Sequence, residues 1–439
     1  MNVYDSEKLK GILLPLGYSL TKDEKKADVI VLNTCSVRER AERRALGRLS
    51  DLSRYKSANP QLTLVVAGCM AQRMGEELIK KIPALDLILG PDQIFQLPQY
   101  LKNHTERPMV VISPSRDNFC CEVFRYEEVP QRKCKYTAFV AISRGCDNFC
   151  SYCVVPYVRG PERHRPINQI IKEVQLLAES GCREVSLIGQ NVNSYKYDGH
   201  DFADLLRKVN AETKIEWIRF MTSHPKDLSE KLIDQMAFLP KVCEHLHLPL
   251  QSGSDKILQM MNRAYTSKDY LKIVEQAKAR IENLSLTTDL IVGFPTETEE
   301  DFKQTLKMVE KIEFDSAFMF RYSVREKTKA ASFSDDVPEE VKLERLHTLI
   351  ELQKQVSRRK NQGMIGRTLE VLVDAKSKKD KGNGSTSFIP NEVEGLTMKG
   401  KTRTNKTVII QTAKNILGTI VPVKIFDADS FTLFGSLEE

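Results

Sequence analysis

Three cysteines, Cys146, Cys150 and Cys153, lie within eight residues of one another. Thiolates ligate iron and zinc, and three of them on one short loop can hold three irons of a [4Fe–4S] cluster. The fourth iron then lacks a protein ligand and can bind a substrate or cosubstrate. A structural zinc ion usually takes four protein ligands in two pairs. The spacing therefore favours a catalytic cluster over the alternatives, which are a zinc site and buried free thiols.

Two other cysteines each follow a predicted strand. Cys35 comes after the apolar run 28–33, and Cys69 comes after the run 62–68. Ligands of open α/β sheets bind at the carboxyl ends of the strands, so this pair marks a second candidate site. The remaining cysteines are expected to be incidental or packing thiols, and they are Cys120, Cys121, Cys134, Cys182 and Cys243.

Residues 1–120 alternate short apolar strands with helices. Strands are predicted at 28–33, 62–68 and 86–89, and helices at 37–54 and 75–81. Continuous apolar strands with crossover helices predict a parallel α/β sheet. Residues 121–135 are predicted to be a linker to the next region.

Residues 136–362 repeat a strand–helix unit about six times. Strand candidates lie at 137–143, 184–189, 214–221, 245–250, 284–292 and 316–322. Six units predict a partial (β/α)6 barrel rather than a closed barrel of eight units. The cysteine triplet directly follows the first of these strands. Residues 363–439 are rich in short strands and turns, at 368–373, 407–412, 419–426 and 431–435, and predict a small antiparallel β-barrel.

The loop 144–153, Arg-Gly-Cys-Asp-Asn-Phe-Cys-Ser-Tyr-Cys, resembles the cluster loop of the radical S-adenosylmethionine (SAM) superfamily. Segment 154–166 and the strand-end segments 187–195, 247–254 and 289–297 resemble the methylthiotransferases of that superfamily. The resemblance implies that SAM chelates the open iron and is cleaved to a 5′-deoxyadenosyl radical. The expected SAM contacts lie at the barrel rim: Tyr152, for which simple packing is the alternative, Gln190, Asn193, Gln251 and Ser252, with Gly253 and Gly293 letting backbone approach the ligand.

Segments 33–39 and 67–73 resemble the N-terminal domain of the methylthiotransferases, which holds an auxiliary [4Fe–4S] cluster through three cysteines. Cys35 and Cys69 match two of them, and residues 1–7 match those that follow the third. Two explanations for the third are open. Either the chain as given starts too far downstream to include it, or the ligand is lost and Cys120, Cys121 or Cys134 replaces it.

Basic residues cluster near both cysteine sites and in the C-terminal region. Overall, 66 Lys and Arg face 59 Asp and Glu, a net charge of +7. Segment 366–373 resembles the start of a TRAM domain, a tRNA-binding barrel, and cationic loops on such a barrel favour RNA. A solvated helix face is the alternative for the first cluster. The expected RNA contacts are Arg38, Arg43, Arg163, Arg165, Lys378, Lys379, Lys401 and Arg403.

The domain order of the whole chain resembles the methylthiotransferase branch that acts on N(6)-dimethylallyladenosine in tRNA. This implies two [4Fe–4S] clusters and SAM as cofactors, and methylthio insertion at C2 of the adenine next to the anticodon. The implied partners are the tRNA anticodon stem-loop, an electron donor such as a flavodoxin or ferredoxin, and a sulfur donor, with the enzyme a monomer. The alternatives are a sister enzyme acting on a ribosomal-protein aspartate or on threonylcarbamoyl-adenosine in tRNA, and a non-catalytic iron–sulfur or zinc RNA-binding protein.

Composition limits the remaining classes. The chain has 439 residues, 41% of them hydrophobic and 28% charged, which excludes a disordered chain and predicts about three domains. No apolar run reaches the roughly 20 residues of a membrane helix, and the N-terminus lacks the apolar stretch of a signal peptide. We therefore predict a cytoplasmic protein without a membrane partner, in which ten cysteines do not form a disulfide framework.

Overall fold

The computed structural model describes residues 1–36, 38–102, 108–116, 134–377 and 396–438. Within the first three of these ranges, four strands form a parallel sheet in chain order: Val29–Thr34, Thr63–Gly68, Leu87–Leu89 and Met109–Val111. The predicted parallel sheet is confirmed. The sequence pattern does not predict the fourth strand, Met109–Val111, whose residues are only partly buried.

Helices cover both faces of this N-terminal sheet. They are Asn2–Leu13, Glu39–Ala58, Cys69–Met74, Glu77–Lys81 and Leu97–Lys102. The strand Thr63–Gly68 is buried along its whole length: Leu64 and Val66 pack toward one hydrophobic cluster, and Val65 and Ala67 toward another. A strand covered on both faces needs apolar residues at every position, which is why it reads as a continuous run.

Six parallel strands of the central region, counted within residues 134–377, form two three-stranded sheets. The first sheet contains Thr137–Ala141, Glu184–Ile188 and Trp217–Phe220, and the second contains His245–His247, Ser285–Val292 and Ser316–Arg321. A single parallel bridge between Ile218 and Val242 connects their edges. The predicted six-unit open barrel is confirmed.

Helices pack outside these strands. Two short antiparallel strand pairs, here called hairpins, follow the first and the second barrel strand along the chain. The helices are Val155–Val158, Ile167–Glu179, Phe202–Glu212, Glu230–Phe238, Asp255–Met260, Ser267–Arg280, Glu299–Ile312 and Glu339–Gln362. The hairpins pair Ser143–Arg144 with Arg163–His164 and Lys196–Tyr197 with His200–Asp201. No helix in the described part of the chain is both long and apolar enough to cross a membrane.

The two faces of the barrel strands differ in chemistry. Outward-facing residues such as Val185 and Leu246 join the large hydrophobic core under the helices. Alternate residues such as Arg219, His245 and His247 line cavities inside the barrel. Successive side chains of a strand point to opposite faces, so the polar alternation produces a polar interior. This interior has open space, unlike the packed core of a closed eight-unit barrel.

The C-terminal region closes into a five-stranded barrel within residues 368–377 and 396–438. Its strands are Thr368–Lys376, Leu396–Thr402, Thr407–Thr412, Ile420–Ala428 and Thr432–Leu437. The pair Thr407–Thr412 and Thr432–Leu437 is parallel, so the prediction of a purely antiparallel barrel is wrong for that pair. The chain crosses between them along Ile420–Ala428, which reverses its direction twice and brings the closing strands into the same direction.

The C-terminal barrel packs against the end of the central barrel at which the strands begin. Arg403 makes two bonds with the Glu244 carboxylate through Nε, at 3.0 and 2.9 Å. Arg219, from inside the central barrel, donates to the carbonyl oxygen of Thr402 at 2.6 Å. The opposite end, where the strands finish, carries the cysteine triplet.

Candidate active site

The loop that carries Cys146, Cys150 and Cys153 is held by backbone hydrogen bonds. The Cys146 N–H donates to the Gly160 carbonyl at 3.2 Å, and the Cys153 N–H donates to the Cys150 carbonyl at 2.9 Å. Gly145 has a φ of 79° and its Cα faces Pro161, so any side chain there would collide with the backbone. The loop geometry therefore depends on the glycine directly before the first cysteine.

Two of the three thiols have raised pKa values, which bears on how they can bind a cluster that supplies positive charge. Burial raises the pKa of Cys146 to about 11. Burial, followed by the neighbouring Cys150, raises the pKa of Cys153 to about 12. The thiolate is the ligand form, so ligation there requires iron to displace the protons. No three Cys, His, Asp or Glu side chains in the described residues are arranged around one metal ion; in a [4Fe–4S] cluster each thiolate binds its own iron.

Arg263 is a functional candidate that the sequence pattern does not predict. Its Nη1 donates to Cys150 Sγ at 3.2 Å, while Nε donates to the Tyr265 hydroxyl at 2.9 Å and Nη2 to the Pro249 carbonyl at 3.2 Å. The side chain is buried, and none of the described carboxylates forms an ion pair with it. A buried cation is costly without a counter-charge, so this position favours an anionic group beside Cys150.

Tyr152 and Gln251 lie together on a cavity of about 890 Å³ at the barrel mouth. Gln251 has a φ of 72°, and its buried Oε1 has no hydrogen-bond partner in the described residues. Positive φ at a residue other than glycine stores strain, which is found most often at functional positions. The structure places both predicted SAM contacts on one surface, and their role stays a prediction.

Two of the other predicted SAM contacts, Asn193 and Ser252, make hydrogen bonds within the protein. Asn193 pairs with the backbone of His224, donating at 2.9 Å and accepting at 2.8 Å. The Ser252 hydroxyl is fully buried and accepts from the Ser254 N–H at 3.2 Å. These polar groups have partners within the protein, and contact of either residue with SAM stays a prediction.

The two glycines are also explained by packing. A side chain at Gly253 would lie 2.5 Å from the Gln304 carbonyl oxygen, so the glycine lets the helix Glu299–Ile312 approach. A side chain at Gly293 would collide with Lys342. Each glycine thus accommodates another part of the chain, and the approach of a ligand to their backbone stays a prediction.

Gln190 is close to the site without facing the cavity. Its Oε1 accepts a hydrogen bond from the Gly145 N–H at 2.6 Å. This contact joins the end of the second barrel strand to the start of the cysteine loop. Gln190 is therefore better described as a support for the loop than as a contact to SAM.

Cys35 and Cys69 follow neighbouring strands whose ends are in register. Thr34 pairs with Gly68 in the parallel ladder, so the two cysteines leave the same edge of the sheet. Cys69 packs against Val154 and Val158, which directly follow the cysteine triplet. The structure thus brings the second predicted site next to the first.

Two buried arginines and Asp5 connect these sites. Arg159 Nε donates to Cys69 Sγ at 3.1 Å, and its Nη2 pairs with Asp5 at 3.1 Å. Asp5 also pairs with Arg144, which precedes the cysteine loop. Burial opposes ionisation of Asp5, but the two arginines outweigh it and hold the pKa of Asp5 below 3.8. Burial raises the pKa of the Cys69 thiol, as it does for Cys146 and Cys153.

Of the three suggested substitute ligands, Cys134 lies within the described residues. Cys134 Sγ lies 3.7 Å from the carbonyl oxygen of Asp374 in the C-terminal barrel. Cys120 and Cys121 lie outside the described residues. Cys182 and Cys243 are buried in the central region, as predicted for packing thiols.

Arg38 and Arg43 are exposed and line the same mouth cavity as Tyr152, together with Arg40 and Arg44. The Arg38 guanidinium lies 4.7 Å from the centre of the Phe320 ring. Arginine stacked on an aromatic ring keeps its donors free for phosphate. The position of this cluster, which we call the mouth arginines, agrees with the predicted RNA contact.

The remaining RNA predictions fare differently. Arg163 and Arg165 are buried and paired with Asp92 and Glu173, so they cannot reach a phosphate and the prediction is wrong for them. Arg403 is bound to Glu244 within the protein. Burial lowers the pKa of Lys401, whose Nζ donates to Asn405 at 2.9 Å. Both are thus part of the contact between the two barrels, and Lys378 and Lys379 lie outside the described residues.

Three family models match the chain. One described as the radical SAM superfamily matches residues 140–309, and one described as the TRAM domain matches residues 362–437. A third, described as uncharacterized protein family UPF0004, matches residues 1–90. The three matched segments lie in the N-terminal sheet region, the central barrel and the C-terminal barrel, in that order along the chain.

Relatives match over nearly the full length. The chain is 47% identical over 443 residues to the tRNA-2-methylthio-N(6)-dimethylallyladenosine synthase of Caldicellulosiruptor saccharolyticus, covering 100% of this chain and 90% of the relative. It is 43% identical over 445 residues to the synthase of the same name from Moorella thermoacetica, covering 100% and 96%.

A solved structure agrees on the fold. The radical S-adenosylmethionine methyltransferase TsrM from Kitasatospora setae is similar with a TM-score of 0.58 and 14% identity, covering 75% of this chain and 74% of that chain. At that identity the likeness concerns the fold alone. The full-length sequence matches decide the family: the chain is a radical SAM enzyme and belongs to the family of the tRNA-2-methylthio-N(6)-dimethylallyladenosine synthases.

Proposed function

We propose that this enzyme inserts a methylthio group at C2 of N(6)-dimethylallyladenosine next to the anticodon of tRNA. The observation that carries the proposal is the adjacency of the two cysteine sites, in which Cys69 packs against Val154 and Val158. A reaction that joins a sulfur atom to a radical-activated carbon needs the sulfur source and the radical source within reach of one base. The family relationship supports the same activity.

The residues divide this work by position. Cys146, Cys150 and Cys153 hold the radical SAM cluster, and Cys35 and Cys69 contribute to the auxiliary one. When bound, the clusters and SAM supply the radical and the sulfur, which no side-chain acid or base can provide at an aromatic C–H. Tyr152 and Gln251 bind SAM at the cavity they line. The burial of the thiols keeps water from the reactive groups.

The target base must leave the anticodon loop to enter the mouth cavity, because a stacked base cannot present C2 to the barrel. The mouth arginines bind the phosphates around the extruded nucleotide. The TRAM-like barrel (residues 363–439), with Lys378 and Lys379 on the segment outside the described residues, binds the stem. We further propose that residues 1–120, 121–135 and 136–362 form the N-terminal domain, its linker and the catalytic domain of a monomer.

Nucleoside analysis tests the function. A deletion strain is complemented with the intact chain or with Cys150→Ala, and its tRNA is digested and analysed by mass spectrometry. We expect the methylthio nucleoside only with the intact chain. A methylthiolated ribosomal protein, or a methylthio group on threonylcarbamoyl-adenosine, in place of this product would contradict the proposal. An electron donor and a sulfur donor are supplied by the host cell.

Binding of the anticodon stem-loop tests the mouth arginines. Reversing Arg38 and Arg43 to Glu should weaken binding by about tenfold or more and reduce its salt dependence, since phosphate contacts release counterions. Arg54→Glu, on the exposed end of the same helix, is the matched control and should change binding little. Equal losses in both proteins would mean that the effect is one of net charge, not of position.

A further inference from the structure

A hydrogen-bonded chain of four side chains runs through the interior of the central barrel. His245 Nε2 lies 3.0 Å from Thr287 Oγ1, and the same oxygen lies 3.0 Å from His247 Nδ1. His247 Nε2 lies 3.3 Å from Asp289 Oδ2. The chain starts deep in the barrel, where His245 is buried, and ends at the mouth.

The chemistry of these groups gives the chain a direction. An ionised carboxylate only accepts hydrogen bonds, so His247 Nε2 carries a proton and donates it to Asp289. With its proton on Nε2, His247 presents Nδ1 as the acceptor for the Thr287 hydroxyl, whose oxygen can accept from His245. Burial holds the pKa of His245 well below its usual range, so His245 is neutral. The chain therefore fixes the rotamer and the orientation of the Asp289 carboxylate.

The free side of this carboxylate faces the mouth cavity. Asp289 Oδ1 has no hydrogen-bond partner among the described residues, and Asp289 lines the cavity of about 890 Å³ with Tyr152 and Gln251. Phe320 lines the same cavity, and Phe318 contacts the His247 ring edge to face at 6.0 Å between centroids. Aromatic walls with a fixed acceptor suit a flat heterocycle that has an N–H donor.

We propose that Asp289, oriented by His247, Thr287 and His245, accepts a hydrogen bond from the exocyclic N6–H of the target adenosine and so positions the base for reaction. This inference rests on the proposed function. SAM also carries an adenine amine, and both ligands offer the same donor. Asp289 lines the same cavity as the exposed Arg38 and Arg43, to which the proposed function assigns the RNA phosphates, and this favours the target base as the occupant.

The first test measures coupling in the reconstituted holoenzyme with an anticodon stem-loop substrate. Asp289→Asn should lower the methylthiolated product formed per 5′-deoxyadenosine by about tenfold or more, because a misplaced base leaves the radical without its partner. SAM affinity and SAM cleavage without RNA should not change. His247→Gln can still donate to Asp289 and should retain most of the coupling, whereas His247→Phe should lose it.

Controls separate positioning from folding. Asp234→Asn alters an exposed carboxylate that pairs with Arg280, and it should leave coupling unchanged. Thr287→Val breaks the chain without changing the mouth, so it should lower coupling less than Asp289→Asn. Iron content and the unfolding transition are measured for each variant. If Asp289→Asn fails to fold, His247→Phe and Thr287→Val carry the test.

A second test uses a stem-loop whose target N6 bears two substituents and thus no proton. The intact enzyme should discriminate against it by about tenfold, and Asp289→Asn should not, since the lost partner is the same hydrogen bond. Equal discrimination by both proteins, unchanged coupling in Asp289→Asn, or a loss of SAM affinity would each overturn the proposal. An intact enzyme that cleaves SAM but never modifies tRNA would instead overturn the proposed function on which it rests.

Discussion

The two cysteine sites resemble each other in one contact and differ in how that contact is balanced. In each, a buried arginine donates to a thiol: Arg263 to Cys150 and Arg159 to Cys69. Arg159 has Asp5 as a counter-ion at 3.1 Å. Arg263 has only a hydroxyl and a carbonyl as further partners in the described residues.

This difference indicates different electrostatic roles. Asp5 is shared by Arg159 and Arg144, so it offsets part of the Arg159 charge, and the group orients Cys69 and ties the N-terminal helix to the central barrel. Arg263 carries an uncompensated charge into a buried site, where it favours any anionic group beside Cys150. A hydrogen bond of similar length, 3.1 Å at Cys69 and 3.2 Å at Cys150, thus has a structural consequence at one site and an electrostatic consequence at the other.

Removing a thiol ligand should have the largest effect and tests whether the two sites are independent. Cys150→Ala should abolish SAM cleavage and lower iron by about four atoms per chain, since a [4Fe–4S] cluster loses its third protein ligand. Iron and sulfide analysis with Mössbauer spectroscopy measures the loss. Cys182→Ala, a buried thiol whose Sγ contacts the Glu184 carbonyl at 3.1 Å, is the control and should keep its iron. Loss of both clusters in Cys150→Ala would contradict independence.

Removing the Asp5 counter-ion should make the Cys69 site resemble the Cys150 site, whose arginine has no carboxylate partner in the described residues. Asp5→Asn leaves Arg144 and Arg159 as buried cations without a carboxylate, which should cost about 3–5 kcal/mol in the free energy of unfolding. Chemical denaturation measures this cost. Glu39→Gln removes an exposed partner of Arg43 and should cost under about 1 kcal/mol. Similar costs for the two variants would show that the Asp5 cluster does not join the domains.

Replacing Arg263 or Arg159 tests how the two cysteine sites differ in charge compensation. Arg263→Gln should lower the midpoint potential of the triplet's cluster, because a nearby cation stabilises the reduced, more negative state. A tenfold change in the reduction equilibrium corresponds to about 59 mV for one electron. Arg159→Gln should shift the N-terminal cluster less, since Asp5 already offsets its charge. Redox titration followed by electron paramagnetic resonance measures both, and Arg263→Lys should retain much of the wild-type potential. Equal shifts would mean that Asp5 does not compensate Arg159.

Lowering the pH should destabilise the folded protein through protonation of Asp5. This is the smallest of the expected effects, because it is absent near neutral pH. Burial opposes ionisation of Asp5, but Arg144 and Arg159 hold its pKa below 3.8 in the folded state. The folded state therefore binds fewer protons, so this stabilisation is present above about pH 4 and is lost as pH falls through the folded pKa. The stability difference between the intact protein and Asp5→Asn should be constant from pH 5 to 8 and shrink below pH 4. A constant difference at all pH values would contradict the ionised pair.

Local patterns predicted much of the fold. The strand Thr63–Gly68 appears in the sequence because burial on both faces requires continuous apolar residues, and the six barrel strands appear there as a recurring strand–helix unit. The triplet could be recognised because its ligands share one loop. The sequence does not predict the strands Met109–Val111, whose three residues are only partly buried, and Leu396–Thr402, which contains Lys399, Gly400 and Lys401.

Distant partners decided where the sequence predictions were wrong. Arg163 and Arg165 belong to a basic stretch in the sequence, yet Asp92 and Glu173 neutralise them in the fold. Gly253 and Gly293 lie after barrel strands, and the structure shows that each accommodates a helix that is distant in the sequence. Neither kind of partner is visible from the residues adjacent in sequence.

The amino-acid sequence by itself determined the family, the order of the three folded regions and the thiols that can bind iron, because these depend on residue type and short-range spacing. Only the tertiary structure decided that Cys69 lies against the triplet's loop, that Arg159 has a counter-ion whereas Arg263 has none among the described residues, and that Asp289 ends a chain of buried hydrogen bonds. Charge compensation and hydrogen-bond partnership are contacts between residues far apart in the chain, and folding alone brings them together.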